Sequence, residues 1–306
     1  MSPAALFFST VAIWGTTWIV IKLQLAATAP EMGVALRFTL AALVVLGWCA
    51  ARRIPLALPR RVHLLLAGTG LLGFCASYFF VYHAERFIVS GLVAVGYSAA
   101  PLINMLLARL LLGTRMAARV AMGGLLGLAG IVLVFWPEFS RLQAGGPLLI
   151  GASLTAGAVL ASCVSNIGMA RVQAAGIRGW APLGIAMTWG AVLAWVAILV
   201  TGTSMAVHWT PLFVASLAWL SLAGSVVAFG AYYALLGKVG PARASYVGVM
   251  STLVALVISS IFEGYNWRLA TFIGIALAIG GNILALQGGG AARPVAASRP
   301  EAAPAR

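Results

Sequence analysis

Residues 180–201 read WAPLGIAMTWGAVLAWVAILVT, an unbroken stretch without a single charge, opened by Gly179 and closed by Gly202. As an α-helix, which rises about 1.5 Å per residue, the stretch is about 33 Å long and matches the hydrocarbon thickness of a bilayer. Comparable runs lie on both sides of it, near residues 3–22, 32–50, 63–82, 88–112, 119–136, 147–169, 211–236, 242–262 and 268–287. Helix breakers fall between them at Pro30, Pro55, Pro59, Pro137, Gly145-Gly146-Pro147, Gly176, Thr210-Pro211 and Gly240-Pro241. The chain as a whole has 306 residues, 62% hydrophobic and 8% charged, with mean hydropathy +1.05. Soluble domains are typically about a quarter charged, so a soluble fold is excluded. The expected fold is an all-α polytopic membrane protein with ten transmembrane helices.

A net charge of +14 in a soluble protein would suggest a nucleic-acid partner. Here the basic residues sit between apolar runs. With the N-terminus inside, the inner segments hold Arg52, Arg53, Arg60, Arg61, Arg109, Arg115, Arg119, Arg171, Arg178, Lys238, Arg243, Arg293, Arg299 and Arg306. The outer ends hold Lys22, Arg86, Arg141 and Arg268, together with Glu31, Glu85, Glu138 and Glu263. That bias predicts both termini in the cytoplasm and assigns the positive charge to anionic lipid headgroups, not to nucleic acid. Stepping by about 150 residues places Tyr82-His83-Ala84 on Tyr232-Tyr233-Ala234, Gly124 on Gly274 and Gly130 on Gly280. The chain is therefore expected to divide into residues 1–138 and a second half, 145–287. Five helices per half would invert the second half relative to the first, an architecture common among secondary transporters. Residues 288–306, rich in Ala, Pro, Arg and Ser, are expected to form a disordered cytoplasmic tail.

Enzymatic chemistry finds no foothold. The chain has no Asp, only three His, no HExxH and no phosphate-binding G-x-x-x-x-G-K-[ST] loop. Cys49, Cys75 and Cys163 lie singly in apolar runs, without metal-ligand spacing. No cofactor or metal is expected. The partners are the bilayer and a small-molecule substrate, and the sequence leaves the oligomeric state open. The competing class is a non-transporting scaffold or sensor, whose polar groups would pair with one another around no cavity.

Ala12-Ile13-Trp14-Gly15-Thr16-Thr17-Trp18, Leu36-Arg37-Phe38 and the run from Tyr82-His83-Ala84 through Ser98-Ala99-Ala100-Pro101 to Leu112-Gly113 resemble the EamA-type repeat of the drug/metabolite transporter superfamily. In the second half Tyr232-Tyr233-Ala234-Leu235, Gly240-Pro241-Ala242 and Phe262-Glu263 resemble the same repeat. The resemblance covers residues 3–287. It implies a ten-helix carrier, often an exporter of amino acids or related metabolites, with a central cavity lined by both repeats. Two positions depart from the family pattern: Thr114 replaces a Glu at the end of the fourth helix, and Met250 or Ser251 replaces a Pro in the ninth.

Residues of suitable type and depth for such a cavity are Trp14, Thr17, Trp18, Tyr78, Tyr82, Tyr97, Pro101, Asn104, Asn166, Trp189, Tyr232 and Tyr246, with Ser98, Ser162, Ser165, Tyr233 and Ser251 beside them. Pro101 removes a backbone donor in mid-helix. The set is uncharged and ring-rich, which suits an amphipathic, zwitterionic or aromatic solute and favours an aromatic-amino-acid exporter. Arg37, charged within a span, is expected to snorkel outward, to pair with Glu31 or Glu85, or to meet a substrate carboxylate, the structural role being the favoured one. His83, near the outer end of the third span, is expected to be structural, and Arg37, Glu31, Glu85 and His83 together are expected to serve as structural or gating charges. Every acid sits at a helix end, which argues against carboxylate-based proton antiport and leaves facilitated exchange as the expected mode.

Overall fold

The computed structural model describes residues 1–113, 118–139, 146–264 and 267–288, and these are helical almost throughout. In chain order the helices are α1 (Pro3–Leu25), α2 (Pro30–Ala51), α3 (Arg60–Ala84), α4 (Ser90–Leu112), α5 (Ala118–Phe139), α6 (Pro147–Ala174), α7 (Trp180–Thr201), α8 (Pro211–Val239), α9 (Tyr246–Phe262) and α10 (Leu269–Gly288). Proline opens α1, α2, α6 and α8, where its missing N–H has no intrahelical partner to lose. Gly113 and Gly202 end α4 and α7 in the left-handed conformation (φ 67° and 66°), which glycine adopts without Cβ strain.

The expected count of ten spanning helices is corrected. Among the described residues, seven helices are long and apolar enough to cross a bilayer: α1, α2, α3, α4, α6, α7 and α8. The remaining apolar helical stretches, Ala121–Val134, Tyr246–Phe262 and Leu269–Gly281, are shorter. The reason is clearest at α9. Gly240 (φ 83°) turns the chain, Pro241–Ala244 forms a separate helical turn, and only 17 residues remain, about 26 Å at 1.5 Å per residue. The even count on which the five-plus-five inversion and the both-ends-inside topology rested falls with it. The tail from residue 289 onward and Thr114 lie outside the described residues.

Helix ends collect at two poles. One gathers Glu31, Glu85 and Glu263 and is called the acidic end here; the other carries Arg52, Arg60, Arg171, Lys238 and Arg243. Between them α2 packs on α7, α5 on α10, α1 on α8 and α9, and α3 on α6 and α7. Two of these helices widen to π-turns midway, α3 at Leu71–Ala76 and α8 at Trp219–Val227. α4 tightens to a 3-10 turn at Tyr97–Ala99, just ahead of Pro101, whose ring would clash with the carbonyl of Tyr97 in a regular helix.

Close backbone approach sets the α5/α10 pair. A Cβ on Gly130 would lie 2.3 Å from the Gly274 carbonyl oxygen, and one on Gly274 would lie 2.5 Å from that of Gly130. Small residues that let helices touch are the usual means of association in lipid, where burial of apolar surface drives nothing. Gly274→Val is therefore expected to destabilise the detergent-solubilised protein by about 1–3 kcal/mol. Gly280→Ala, which meets no atom within 4 Å, is expected to be neutral. Thermal unfolding of the two variants side by side checks this.

Candidate functional site

A cavity of about 90 Å³, roomy enough for several waters, lies among α1, α3, α4, α6, α8 and α9. Its wall contains Trp14, Thr17, Trp18 and Ile21 from α1, Gly73, Tyr78 and Val81 from α3, and Tyr97 and Ala100 from α4. The second half of the chain supplies Ser162, Ser165 and Asn166 from α6, Phe229, Tyr232 and Tyr233 from α8, then Ser245, Gly248 and Ser251.

The irregular turns build this wall. In the π-turn of α8 the Ser225 hydroxyl donates to the Leu220 carbonyl at 2.9 Å and accepts from Arg37 Nε at 2.9 Å. The neighbouring Gly224 carbonyl accepts the Trp14 indole N–H at 3.0 Å. Where α3 enters its π-turn, the Thr69 carbonyl accepts the Ser165 hydroxyl at 3.0 Å, and Gly73 admits that side chain, because a Cβ there would stand 2.2 Å from Ser165 Oγ. π-Turns recur at functional sites because they free carbonyls in this way.

Aromatic rings make most of the surface. Trp14 meets Phe229 at 4.9 Å and Tyr232 at 5.0 Å between centroids, and Trp18 meets Tyr97 at 5.1 Å. On the opposite wall the hydroxyls of Ser77, Ser162 and Tyr97 form a closed triangle at 2.6–3.3 Å. Behind Tyr78 lies Arg37, 1% exposed, its guanidinium 4.5 Å from the Tyr78 ring centroid. It pairs with neither Glu31 nor Glu85, contrary to the expected pairing. Its Nη1 and the indole Nε1 of Trp18 are buried with no hydrogen-bond partner among the described residues.

Of the sequence-predicted cavity residues, Trp14, Thr17, Trp18, Tyr78, Tyr97, Asn166 and Tyr232 line this space. The others stand elsewhere. Tyr82 is fully buried nearer the acidic end and donates to Gln24 Oε1 at 2.9 Å. Pro101 is buried behind Ala100 and shapes the turn that presents Tyr97. Asn104 donates to Ser245 Oγ at 2.6 Å, Tyr246 packs on Val249 and Phe7, and Trp189 is 38% exposed on the outer surface of α7. Tyr233, Ser162, Ser165 and Ser251, also expected there, line it as well, whereas sequence reading missed Phe229 and Ser245. Phe229 lies three residues before Tyr232 and four before Tyr233, so its proximity to the same wall was legible in principle.

The acidic end closes over the cavity through paired polar contacts. Glu263 forms an ion pair with Lys22 at 3.0 Å and accepts from the backbone N–H of Ser90 at 3.1 and 3.2 Å and from its hydroxyl. It thereby caps the N-terminus of α4, which has no capping side chain of its own. Burial alone would raise the Glu263 carboxyl, but Ser90, Ser259 and Lys22 outweigh it and hold the group below its ordinary value. Glu31 and His83 meet at 2.7 Å. Glu85 differs: burial first, then the Glu263 charge, push its carboxyl well above the ordinary range.

Two outcomes follow. A carboxylate held low stabilises the fold above its unfolded value and loses that contribution as pH falls through the depressed one. Stability is therefore expected to drop on acidification below the usual carboxylate range, and less steeply in Glu263→Gln, as a pH series of unfolding curves reads out. Tyr82→Phe leaves the Gln24 amide without any partner and is expected to destabilise by about 1–3 kcal/mol. The double change Tyr82→Phe/Gln24→Leu is expected to restore part of that loss.

Comparison with known proteins bears on what such a cavity is for. Residues 1–136 match the EamA-like transporter family. The chain is 28% identical over 259 residues to the "Uncharacterized inner membrane transporter YedA" of Escherichia coli K12, covering 83% of this chain and 80% of that one. It is 22% identical to the "Probable amino-acid metabolite efflux pump" of the same strain, over 89% of this chain and 90% of the relative. A solved structure described only as "Crystal structure of protein" shares the fold, with TM-score 0.68 at 20% identity over 94% of this chain and 98% of the other. By these findings the first 136 residues are similar to the EamA-like transporter family and the chain as a whole is similar to bacterial inner-membrane transporters, in keeping with seven helices long and apolar enough to cross a membrane.

Proposed function

We propose that this transporter exports neutral and aromatic amino acids by alternating access, with the central cavity as the solute site. The observation that carries the reading is the composition of the wall: rings and hydroxyls line it, no charged side chain does, and a single buried guanidinium stands directly behind it. Each part of an amino acid has a counterpart there. The faces of Trp14, Tyr78, Phe229 and Tyr232 offer negative potential to an ammonium group and apolar area to a side chain. Arg37, with one nitrogen unpartnered and no acid bonded to it among the described residues, favours a carboxylate on the Tyr78 side. A phosphorylated or multiply charged solute would need more cations than this wall supplies.

Alternation of access fits the placement of the polar contacts. Ion pairs and hydrogen bonds gather at the acidic end, and a second set, Asn104 to Ser245 and Gln173 to the Tyr233 carbonyl, lies toward the basic end. The cavity lies between them and draws its wall from both halves of the chain, residues 1–138 and 145–287, so that movement of one against the other would open either set in turn. The amino-acid class and the outward direction agree with the name carried by the efflux-pump relative.

The test is uptake of labelled Trp, Phe, Met and Thr by proteoliposomes against protein-free liposomes. Saturable uptake is expected for at least one of them. Trp18→Phe, which removes the unpartnered donor together with part of the ring face that meets Tyr97, is expected to raise the KM for that solute at least about fivefold, the worth of one hydrogen bond of about 1 kcal/mol. Trp189→Ala, on the outer surface, is expected to leave uptake unchanged. Absence of saturable uptake for every amino acid by folded, inserted protein would refute the assignment.

A further inference from the structure

Glu85 immediately follows the last residue of α3 and is 1% exposed. Neither of its carboxyl oxygens has a hydrogen-bond partner among the described residues, and the Nε2 of the fully buried Gln24 is likewise unpartnered. Its backbone N–H bonds the carbonyl of Val81, a cavity-wall residue one helical turn away, at 3.0 Å. The titratable and charged groups facing it come from each neighbouring element: Lys22 of α1, Arg37 of α2, Tyr82 of its own helix and Glu263 at the end of α9. None is available as its counter-charge. Lys22 is bound to Glu263, and Arg37 is bound to Ser225 and stacked on Tyr78.

A buried carboxylate with no donor and another carboxylate facing it is unfavourable on both counts, whereas the neutral acid loses little by burial. The two acids of this end are thereby divided. Glu263 collects the donors and is charged; Glu85 receives none and keeps its proton, in agreement with the upward displacement described above.

We propose that Glu85 is the proton-binding site of this carrier, neutral while the acidic end is closed and ionised when that end opens. The proposal rests on the transport reading above. When α1, α3 and α9 part, the Glu85 carboxyl meets water. Its O–H bond breaks, the electron pair stays on the carboxylate oxygen and water takes the proton; reclosure takes one back. Nothing is oxidised or reduced. The closed end thus binds one proton more than the open end, so rising pH on that side favours opening. This reverses the expectation that an acid at a helix end cannot serve coupling, because Glu85 is terminal in the helix and nonetheless buried.

The experiment uses the full chain in liposomes and two readouts. Infrared difference spectra between pH steps, in H2O and D2O, detect a protonated carboxyl without any solute. The wild type is expected to show a deuterium-sensitive carboxyl C=O band at neutral pH that Glu85→Gln lacks and Glu85→Asp retains in shifted form. Absence of that band from the wild type overturns the proposal. In the second readout, an imposed pH gradient is expected to change net uptake of the transported amino acid several-fold in the wild type and in Glu85→Asp. Glu85→Gln is expected to keep exchange and lose the gradient effect, and an undiminished effect in that variant also overturns the proposal. The band without movement of any amino acid upholds the proton site and sinks the solute assignment instead.

Discussion

A bilayer interior provides no hydrogen-bond partners, and the architecture of this protein follows from that constraint. The backbone meets it by being helical; the side chains must meet it by finding one another. Arg37 shows what this entails. A guanidinium held at 1% exposure in an apolar bundle obtains its Ser225 partner only because α8 widens to a π-turn there, and Gly224 leaves room beside it, since a Cβ at that position would stand 3.3 Å from Arg37 Nη2. The same turn presents a carbonyl to Trp14 and so fixes one wall of the cavity. A charge, a helix defect and a binding surface are therefore a single structural unit.

Where the chain does not satisfy its own polar groups, function has room to act. Trp18, a residue of the cavity wall, keeps a buried and unpartnered Nε1, Arg37 Nη1 lies behind that wall, and the Glu85 carboxyl lies at the acidic end. A scaffold would have paired such groups. Instead the paired contacts, Lys22 with Glu263, His83 with Glu31 and Tyr82 with Gln24, gather at the acidic end. Held contacts that close an end and open valences on and beside the cavity are the distribution a carrier requires, because the first must break and the second must be filled in each cycle.

Membrane class was legible in the sequence because hydropathy is an average over about twenty residues, and residues 180–201 alone nearly decide it. The number of spans was not, because a hydropathy window does not register that Gly240 and Pro241–Ala244 divert the chain before α9 begins. Cavity residues were legible as far as type and depth determine them: Trp14, Tyr78 and Tyr232 are rings at mid-helix and line the wall. Trp189 matches them in type and depth but sits, 38% exposed, on α7, a helix that packs on α2 and contributes nothing to the wall. Glu85 shows the converse limit. Its position at a helix end was visible, and its burial, which depends on three other helices, was not.

The most direct test of the central claim, that this cavity is a solute site reached from both faces of the membrane, is thiol accessibility at Ser162, a near-isosteric position on its wall. In a variant with Ser162→Cys and the native Cys49, Cys75 and Cys163 replaced by alanine, a membrane-impermeant thiol reagent would be applied from each side in turn. The account predicts labelling from either side, slowed by the transported amino acid. A cysteine that no reagent reaches from either side, in protein that is folded and inserted, would contradict it.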